Sequence, residues 1–147
     1  MKQHISNYAD KLSCALGMDA MQQVPNLCEA LRVAWSEGNT IYFCGNGGSA
    51  ANALHIANDL LYGTDVNHGG GLRVEALGAN TAILTCLAND LGYEHIYAEQ
   101  LKVKARPNDI LIVLSGGGNS PNVVKALEAG NAIGMNRIEM RTTDEDF

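Results

Sequence analysis

The sequence predicts an α/β fold in which an open parallel sheet carries helices on both faces and follows two N-terminal helices. Apolar runs rich in β-branched residues alternate with segments in which apolar residues recur every three or four positions. Two glycine-rich stretches each come directly after one of these apolar runs. Strands that alternate with helices are joined by right-handed crossovers, and such crossovers produce a parallel sheet.

Two amphipathic helices are predicted before the first strand, at residues 4–16 and 21–35. Pro25 falls in the first turn of the second helix, where a missing N–H costs little, and Gly38 suits the position after its last turn. Trp35 and Met18 are natural subunit contacts, and a role inside the core of the chain is the equally open alternative.

Strands and helices then alternate to the end of the chain. Residues 40–44 are β-branched and aromatic with almost no polar interruption, which is typical of a strand buried on both faces of a parallel sheet. Further strands are predicted at 72–77, 110–115 and 136–140, with helices at 50–62, 81–89, 94–105 and 120–133. The stretch 62–71 is rich in glycine and is predicted to loop over the surface.

Length and charge limit the class of protein. A chain of 147 residues suits one domain, so we expect a single domain over 1–147, with the N-terminal helices in 1–38 and the α/β core in 39–147. The net charge of -6 argues against a nucleic-acid or anionic-membrane partner. The apolar runs are far shorter than the roughly 18 residues of a spanning helix, and the first 20 residues do not resemble a signal peptide. A cytoplasmic protein is therefore expected.

The four cysteines stand far apart in the sequence, without a C-x-x-C pair or a short Cys/His cluster. Each has apolar neighbours. All four are predicted to be reduced, buried thiols that pack as small hydrophobic side chains, namely Cys14, Cys28, Cys44 and Cys86.

Both glycine-rich loops follow predicted strands, at the edge where open α/β sheets bind their ligands. The first runs Gly45, Asn46, Gly47, Gly48, Ser49. Its glycines allow close approach of a ligand, Ser49 can cap the next helix or donate its hydroxyl, and the helix start favours an anion. The second loop repeats the arrangement with Ser115, Gly116, Gly117, Gly118, Asn119 and Ser120, before Pro121 at the first helical position. For either loop alone, an ordinary tight turn is the alternative.

The sequence of the two loops limits which class of anion they could bind. Residues 45–50 fit the dinucleotide pattern G-x-G-x-x-G/A, but the next strand leads into Gly78, Ala79 and Asn80 and lacks the acidic residue that holds a ribose. Neither loop contains the lysine pattern of a nucleoside triphosphate site. A smaller phosphate ester fits these loops better, and no nucleotide cofactor is expected. The alternative hypothesis of a dinucleotide enzyme holds only if a nicotinamide cofactor binds measurably.

Three segments together resemble the sugar isomerase (SIS) domain family, and within it the phosphoheptose isomerase branch: CGNGGSAANALHIANDL, CLANDLGYEHIY and LSGGGNSPNVVKALEAG. The similarity extends from the N-terminal helices to about Met135. It implies a flavodoxin-like three-layer α/β sandwich and a homotetramer with a phosphorylated sugar bound between subunits. The reaction it implies converts sedoheptulose 7-phosphate into glycero-manno-heptose 7-phosphate, an early step toward the heptose of lipopolysaccharide.

The resemblance also implies the site residues. His55 matches a histidine that binds zinc in some members, and Asp59 matches a glutamate that serves as acid/base and zinc ligand. His55 and Asp59 are thus the expected catalytic and metal residues, Asp59 moving the proton and His55 assisting or holding zinc. Isomerisation through an enediol needs such groups beside the carbon, although a polar helix face with Asp59 paired to His55 or solvent is the alternative. The expected substrate-binding residues are Asn46, Gly47, Gly48, Ser49, Asn89, Asp90, Ser115, Gly116, Gly117, Asn119 and Ser120.

The chain also departs from the family pattern. Gly116 and Gly117 stand where the family has hydroxyl residues, Gly63 replaces an arginine, and Gly78-Ala79 replace a serine-aspartate. Relative to the family, the chain is expected to lack the last strand and helix, which supply a glutamine and a catalytic histidine. The other histidines, His4, His68 and His95, are predicted to be surface or packing residues.

Two consequences of these departures are left open. A shortened sheet would expose an edge and apolar helix faces, so an oligomer that covers them is expected. The second hypothesis for function is a non-catalytic scaffold or sugar-phosphate sensor. A family relative that associates with the replication initiator is such a scaffold, and it shares the pattern of residues 45–55.

Overall fold

The computed structural model describes residues 1–63 and 70–141, and its sheet has four parallel strands. The strands are β1 (Ile41–Gly45), β2 (Val74–Ala76), β3 (Ile110–Ser115) and β4 (Asn136–Arg141), in the order β2-β1-β3-β4. From β1 the chain moves outward to β2 and then returns to the other side of β1 to form β3. The strand order therefore reverses between β1 and β3, where open α/β sheets bind ligands at the carboxyl edge.

The helices confirm the predicted alternation. They are α1 (Lys2–Leu16), α2 (Val24–Glu37), α3 (Gly48–Tyr62), α4 (Thr81–Asp90), α5 (Ala98–Lys104) and α6 (Pro121–Ile133). Two short 3-10 helices, Asp19–Gln23 and Tyr93–His95, precede α2 and α5. Gly38 ends α2, as predicted, and Pro25 lies in its first turn.

Some predicted boundaries were wrong. The helix predicted at 94–105 is divided, because the chain turns at Gly92, with φ of 101°, and forms a separate 3-10 helix before α5 begins at Ala98. The second N-terminal helix begins only at Val24, since residues 21–23 belong to a 3-10 helix. The strand predicted at 72–77 keeps only its middle, with buried Leu72 and Leu77 outside it. Most of the loop predicted at 62–71, including His68, lies outside the described residues.

Each face of the sheet carries its own apolar core, which makes the fold a three-layer sandwich. On one face, Phe43, Ile110 and Ile112 pack with side chains of α2 and α3 such as Ala34 and Ala53. On the other face, Leu111 and Val113 pack with side chains of the helices that follow β2, including Leu101, Val123 and Ala126. All five residues of β1 are buried, as predicted for a central strand.

The outer strand and the first helix are exposed. Along β4 only Ile138 is partly buried. Helix α1 has no buried residue, and it presents an apolar stripe, called here the α1 stripe, of Ile5, Tyr8, Leu12 and Leu16, all exposed. None of the helices in the described ranges is long and apolar enough to cross a membrane.

The prediction that all four cysteines are buried was wrong. Cys44 in β1 is buried, and its burial raises the pKa of the thiol to about 12. Cys14, Cys28 and Cys86 are exposed, because they lie on helix faces that no other described element covers.

Candidate functional site

A cavity of about 550 Å³ opens at the carboxyl edge of the sheet, between the start of α3, the loop after β3 and the end of β4. Gly45 allows the strand ends to approach, since a Cβ at this position would lie 2.7 Å from the Leu114 carbonyl oxygen and 2.9 Å from Ser49 Cβ. The cavity lies at the predicted place. Its lining comprises Ser49, Asn52, His55, Ile56, Leu114, Ser115, Gly116, Met140 and Arg141.

The first glycine loop is held by a network of side chains. The Asn46 amide donates to Asn122 Oδ1 at 2.9 Å, and the Asn122 amide donates to Asn46 Oδ1 at 2.7 Å. The Tyr93 hydroxyl also donates to Asn46 Oδ1, at 3.2 Å. Asn46 thus joins the loop to α6 and to the 3-10 helix before α5.

Of the two roles left open for Ser49, helix cap or hydroxyl donor, the structure excludes the cap of α3. Gly47 occupies the capping position and Ser49 is already the second residue of the helix, so its N–H bonds to the Asn46 carbonyl oxygen at 3.0 Å. Its side chain is placed at the cavity instead.

Within the described part of the chain, most backbone N–H groups of the second glycine loop are unpaired, and Ser115 and Gly116 of this loop line the cavity. Ser115 Oγ accepts a hydrogen bond from the N–H of Gly118, at 3.1 Å, which closes the turn. Among the described residues, the N–H groups of Gly116, Gly117, Asn119 and Ser120 donate no hydrogen bond to another part of the chain. Pro121 is at the start of α6, as predicted. Consecutive free N–H groups beside a helix start favour an anion.

His55 and Asp59 lie one turn apart on α3, with 3.4 Å between His55 Nε2 and Asp59 Oδ2. Their side chains are 77% and 60% exposed. The cavity lining includes His55 but not Asp59. The carboxylate of Asp59 therefore lies within ion-pair distance of the imidazole ring but outside the cavity lining.

These two residues do not by themselves form a zinc site. Catalytic zinc usually has three protein ligands and structural zinc four. Within residues 1–63 and 70–141, no group of three or more His, Cys, Asp or Glu side chains is placed to hold a metal. The described residues thus do not fit a complete zinc site.

Asn89 and Asp90 lie at the end of α4 and are exposed. The Asn89 amide donates to Asp90 Oδ1 at 2.8 Å, and Cys86 Sγ donates to Asp90 Oδ2 at 3.5 Å. This hydrogen bond raises the pKa of Cys86. Neither Asn89 nor Asp90 lines the cavity of this chain, so their role as substrate contacts remains a prediction.

Several site residues were missed by the sequence analysis. Asn52 lies one turn before His55 on α3 and lines the cavity, and its i, i+3 spacing from His55 could have revealed it. Arg141 also lines the cavity, but no local sequence pattern predicts this, because the position of Arg141 depends on the pairing of β4 with β3. Buried Asn122 could not have been recognised as the partner of Asn46 from a separation of 76 residues.

Tyr97 supports the cavity from the opposite side of the sheet. Its hydroxyl donates to the Gly45 carbonyl oxygen at 2.5 Å, just where β1 enters the first loop. Burial, chiefly, raises the pKa of Tyr97 to about 12. The phenol therefore stays protonated and keeps this hydrogen bond across the physiological pH range.

Together the fold and the site define an α/β domain with a cavity at the carboxyl edge of its parallel sheet. A family model described as the SIS domain matches residues 7–140. A phosphoheptose isomerase of Akkermansia muciniphila is 36% identical over 141 residues, covering 95% of this chain and 72% of the relative. The chain belongs to the SIS domain family and, within it, to the phosphoheptose isomerase branch.

Other comparisons agree. A phosphoheptose isomerase of Rhodospirillum rubrum is 42% identical over 117 residues, covering 78% of this chain and 62% of the relative's length. The phosphoheptose isomerase structure from Neisseria gonorrhoeae superposes with a TM-score of 0.81 at 29% identity, covering 97% of this chain and 75% of that one. A Francisella tularensis phosphoheptose isomerase, at 24% identity with the same coverages, has a TM-score of 0.85 and supports the fold.

Proposed function

We propose that this chain binds a phosphorylated sugar in the cavity at the carboxyl edge of the sheet and acts as a phosphoheptose isomerase. The reaction would convert sedoheptulose 7-phosphate into glycero-manno-heptose 7-phosphate. The observation that carries the proposal is the cavity itself, which brings the His55 imidazole together with Ser49 and Ser115. The names of the relatives support the same activity.

The phosphate of the sugar is proposed to bind at the second glycine loop. Four unpaired backbone N–H groups of this loop can donate hydrogen bonds to an anion, namely those of Gly116, Gly117, Asn119 and Ser120. Ser115 and Ser49 line the adjoining wall and supply hydroxyl groups. The first loop, with Gly47, Gly48 and Asn46, is proposed to approach the sugar, and Asn89 and Asp90 remain proposed contacts.

The sugar carbons would then face α3. Aldose–ketose isomerisation removes a proton from the carbon beside the carbonyl while the carbonyl oxygen takes up a proton, which gives an enediol. A proton then returns to the former carbonyl carbon while the neighbouring hydroxyl oxygen loses its proton and becomes the new carbonyl. We assign the transfer of that proton to His55, which lines the cavity, and the orientation of its ring to Asp59, whose carboxylate lies 3.4 Å from the imidazole. The two roles are thus the reverse of those expected from the sequence, in which Asp59 moves the proton and His55 assists.

An aldose-forming assay with sedoheptulose 7-phosphate tests this proposal, with and without added zinc. We expect turnover by the wild type and a loss of about 10²-fold or more in kcat for His55→Asn, because general acid–base catalysis contributes that much. Asp59→Asn should lose less, and Asp10→Asn, an exposed carboxylate on α1, should retain full activity. Turnover that is unaffected by His55→Asn would contradict the assignment.

The non-catalytic scaffold or sensor is the second candidate. It is favoured by two observations: none of the described residues that line the cavity is a carboxylate, and Asp59 is largely exposed. An isomerase of this kind needs groups for both carbon and oxygen protons. Saturable binding of the sugar phosphate without turnover, in either zinc condition, would favour this candidate over the isomerase.

We further propose that the chain functions in the cytoplasm as a homo-oligomer, a tetramer, on a route to lipopolysaccharide heptose. The α1 stripe supports the assembly, because an apolar stripe on a helix with no buried residue is normally covered by a partner. A groove of about 610 Å³ between α2 and β4, lined by Met21, Leu27 and Ile138 among others, offers a second apolar surface.

A further inference from the structure

Among the described residues that line the cavity, only Arg141 carries a permanent positive charge. It is the last residue of β4 and pairs in register with Ser115, the last residue of β3. The register places a guanidinium group beside the second glycine loop, in which the N–H groups of Gly116, Gly117, Asn119 and Ser120 are free.

The loop is shaped to admit this side chain. Gly118, with φ of 69°, lies directly under the guanidinium, since a Cβ built there would be 2.9 Å from Arg141 Nε and 3.1 Å from Cζ. A residue with a side chain at this position would displace Arg141. The turn and the cation therefore depend on the same glycine.

The only ionic partner of Arg141 in the described ranges is Glu139, two residues earlier on the same face of β4. Nε and Nη2 of Arg141 both donate to Glu139 Oε2. The two side chains are 54% and 31% exposed, and a partly exposed pair of this kind contributes little to stability. A phosphate group can accept two parallel hydrogen bonds from a guanidinium and can replace such a carboxylate.

We propose that Arg141 anchors the phosphate of the ligand in this cavity, and that Glu139 holds the guanidinium over the second loop until the phosphate replaces it. This inference rests on the proposed function, because it names a further contact of the same sugar-phosphate site. Arg141 then supplies charge, while the loop N–H groups supply directed donors.

Isothermal titration with inorganic phosphate, sedoheptulose 7-phosphate and sedoheptulose tests the inference. Arg141→Gln should weaken binding of both phosphate-containing probes about tenfold or more, since hydrogen bonds to charged groups are the strong ones. The affinity of Arg141→Lys for these probes should lie between those of the wild type and Arg141→Gln, because lysine keeps the charge but not the paired donors. Glu139→Gln should tighten binding severalfold, because the competing carboxylate charge is gone.

Arg137→Gln is the matched control, since Arg137 lies on the same face of β4 but does not line the cavity. It should change phosphate binding less than twofold. Wild-type affinity in Arg141→Gln, with sugar phosphate still bound, would overturn the role of Arg141 and leave the proposed function standing. If the wild type binds neither phosphate probe, the proposed function fails together with the inference.

Discussion

Asn46 and Asn122 exchange two side-chain hydrogen bonds across the carboxyl edge of the sheet, at 2.9 and 2.7 Å. Asn122 is 1% exposed, and its Oδ1 also accepts the N–H of Val123 at 3.0 Å. The pair ties the first glycine loop to the start of α6, which follows the second loop. Through this contact the two loops that flank the cavity are held in a fixed relation.

Removing one amide of this pair should destabilise the protein. Asn122→Ala deletes both hydrogen bonds and leaves the amide N–H of Asn46 without its acceptor, while Asn46 Oδ1 keeps the Tyr93 hydroxyl, so the cost is about 1–3 kcal/mol in the free energy of unfolding. Chemical denaturation measures this loss. The control is Asn131→Ala, the same substitution at an exposed position of α6, which should change the value by less than about 0.5 kcal/mol. Equal effects at both positions would contradict the structural role of the pair.

Gly118 and its neighbour Gly117 should respond differently to alanine. At Gly118 the positive φ and the close guanidinium of Arg141 both oppose a Cβ, whereas at Gly117 no atom lies within 4 Å of one. Gly118→Ala should lower the free energy of unfolding by about 1–2 kcal/mol and weaken phosphate binding. Gly117→Ala should leave stability nearly unchanged, as denaturant unfolding can show. A larger loss of stability for Gly117→Ala would be inconsistent with the loop geometry.

Tyr97 should make stability depend on pH in the alkaline range. Burial raises its pKa from 10.0 to about 12, so folding favours the neutral phenol. The contribution of Tyr97 to the free energy of unfolding is fully present below pH 10 and is lost as the pH rises from 10 toward 12. Tyr97→Phe should cost about 0.5–1.5 kcal/mol at neutral pH, through the lost bond to Gly45.

The slope of stability against pH distinguishes this titration from a general alkaline effect. Urea unfolding between pH 9 and 12 should show a shallower loss for Tyr97→Phe than for the wild type. Tyr62→Phe, at a position 71% exposed, should keep the wild-type slope. An unchanged slope in Tyr97→Phe would show that this phenol does not titrate as described.

The α1 stripe is expected to form the contact between subunits of the proposed oligomer. Two substitutions on it, Tyr8→Glu and Leu12→Glu together, place charges on the apolar face and should reduce the mass measured by light scattering after size exclusion. Asn7→Glu, on the opposite face of α1, should leave the mass unchanged. A wild-type mass equal to one chain would refute the oligomer.

Local patterns predicted most of this fold because they report local physics. The buried run at β1 and the glycine loops after β1 and β3 were recognisable from β-branched residues and turn chemistry. The break before α5 was missed, because it follows from Gly92 adopting a positive φ and from tertiary contacts of Tyr97. Exposure of Cys14, Cys28 and Cys86 was missed because apolar neighbours in sequence do not reveal which helix face is covered.

The site was predicted less completely than the fold. Ser49, His55, Ser115 and Gly116 meet at the cavity because each lies near a strand end or on the helix that follows it. Arg141 and the Asn46–Asn122 pair depend on the register of β4 and on contacts between distant segments, which no local spacing encodes. The catalytic contribution of Asp59 and the contacts of Asn89 and Asp90 remain predictions.

The most direct test of the central claim is isothermal titration of the wild-type chain with sedoheptulose 7-phosphate and, separately, with sedoheptulose. We expect saturable binding of the phosphorylated sugar and at least tenfold weaker binding of the sugar without phosphate, about 1.4 kcal/mol or more, because the donors of the second loop act on the charged group. Equal affinity for the two sugars, or no saturable binding of sedoheptulose 7-phosphate, would contradict a phosphosugar site at this edge of the sheet.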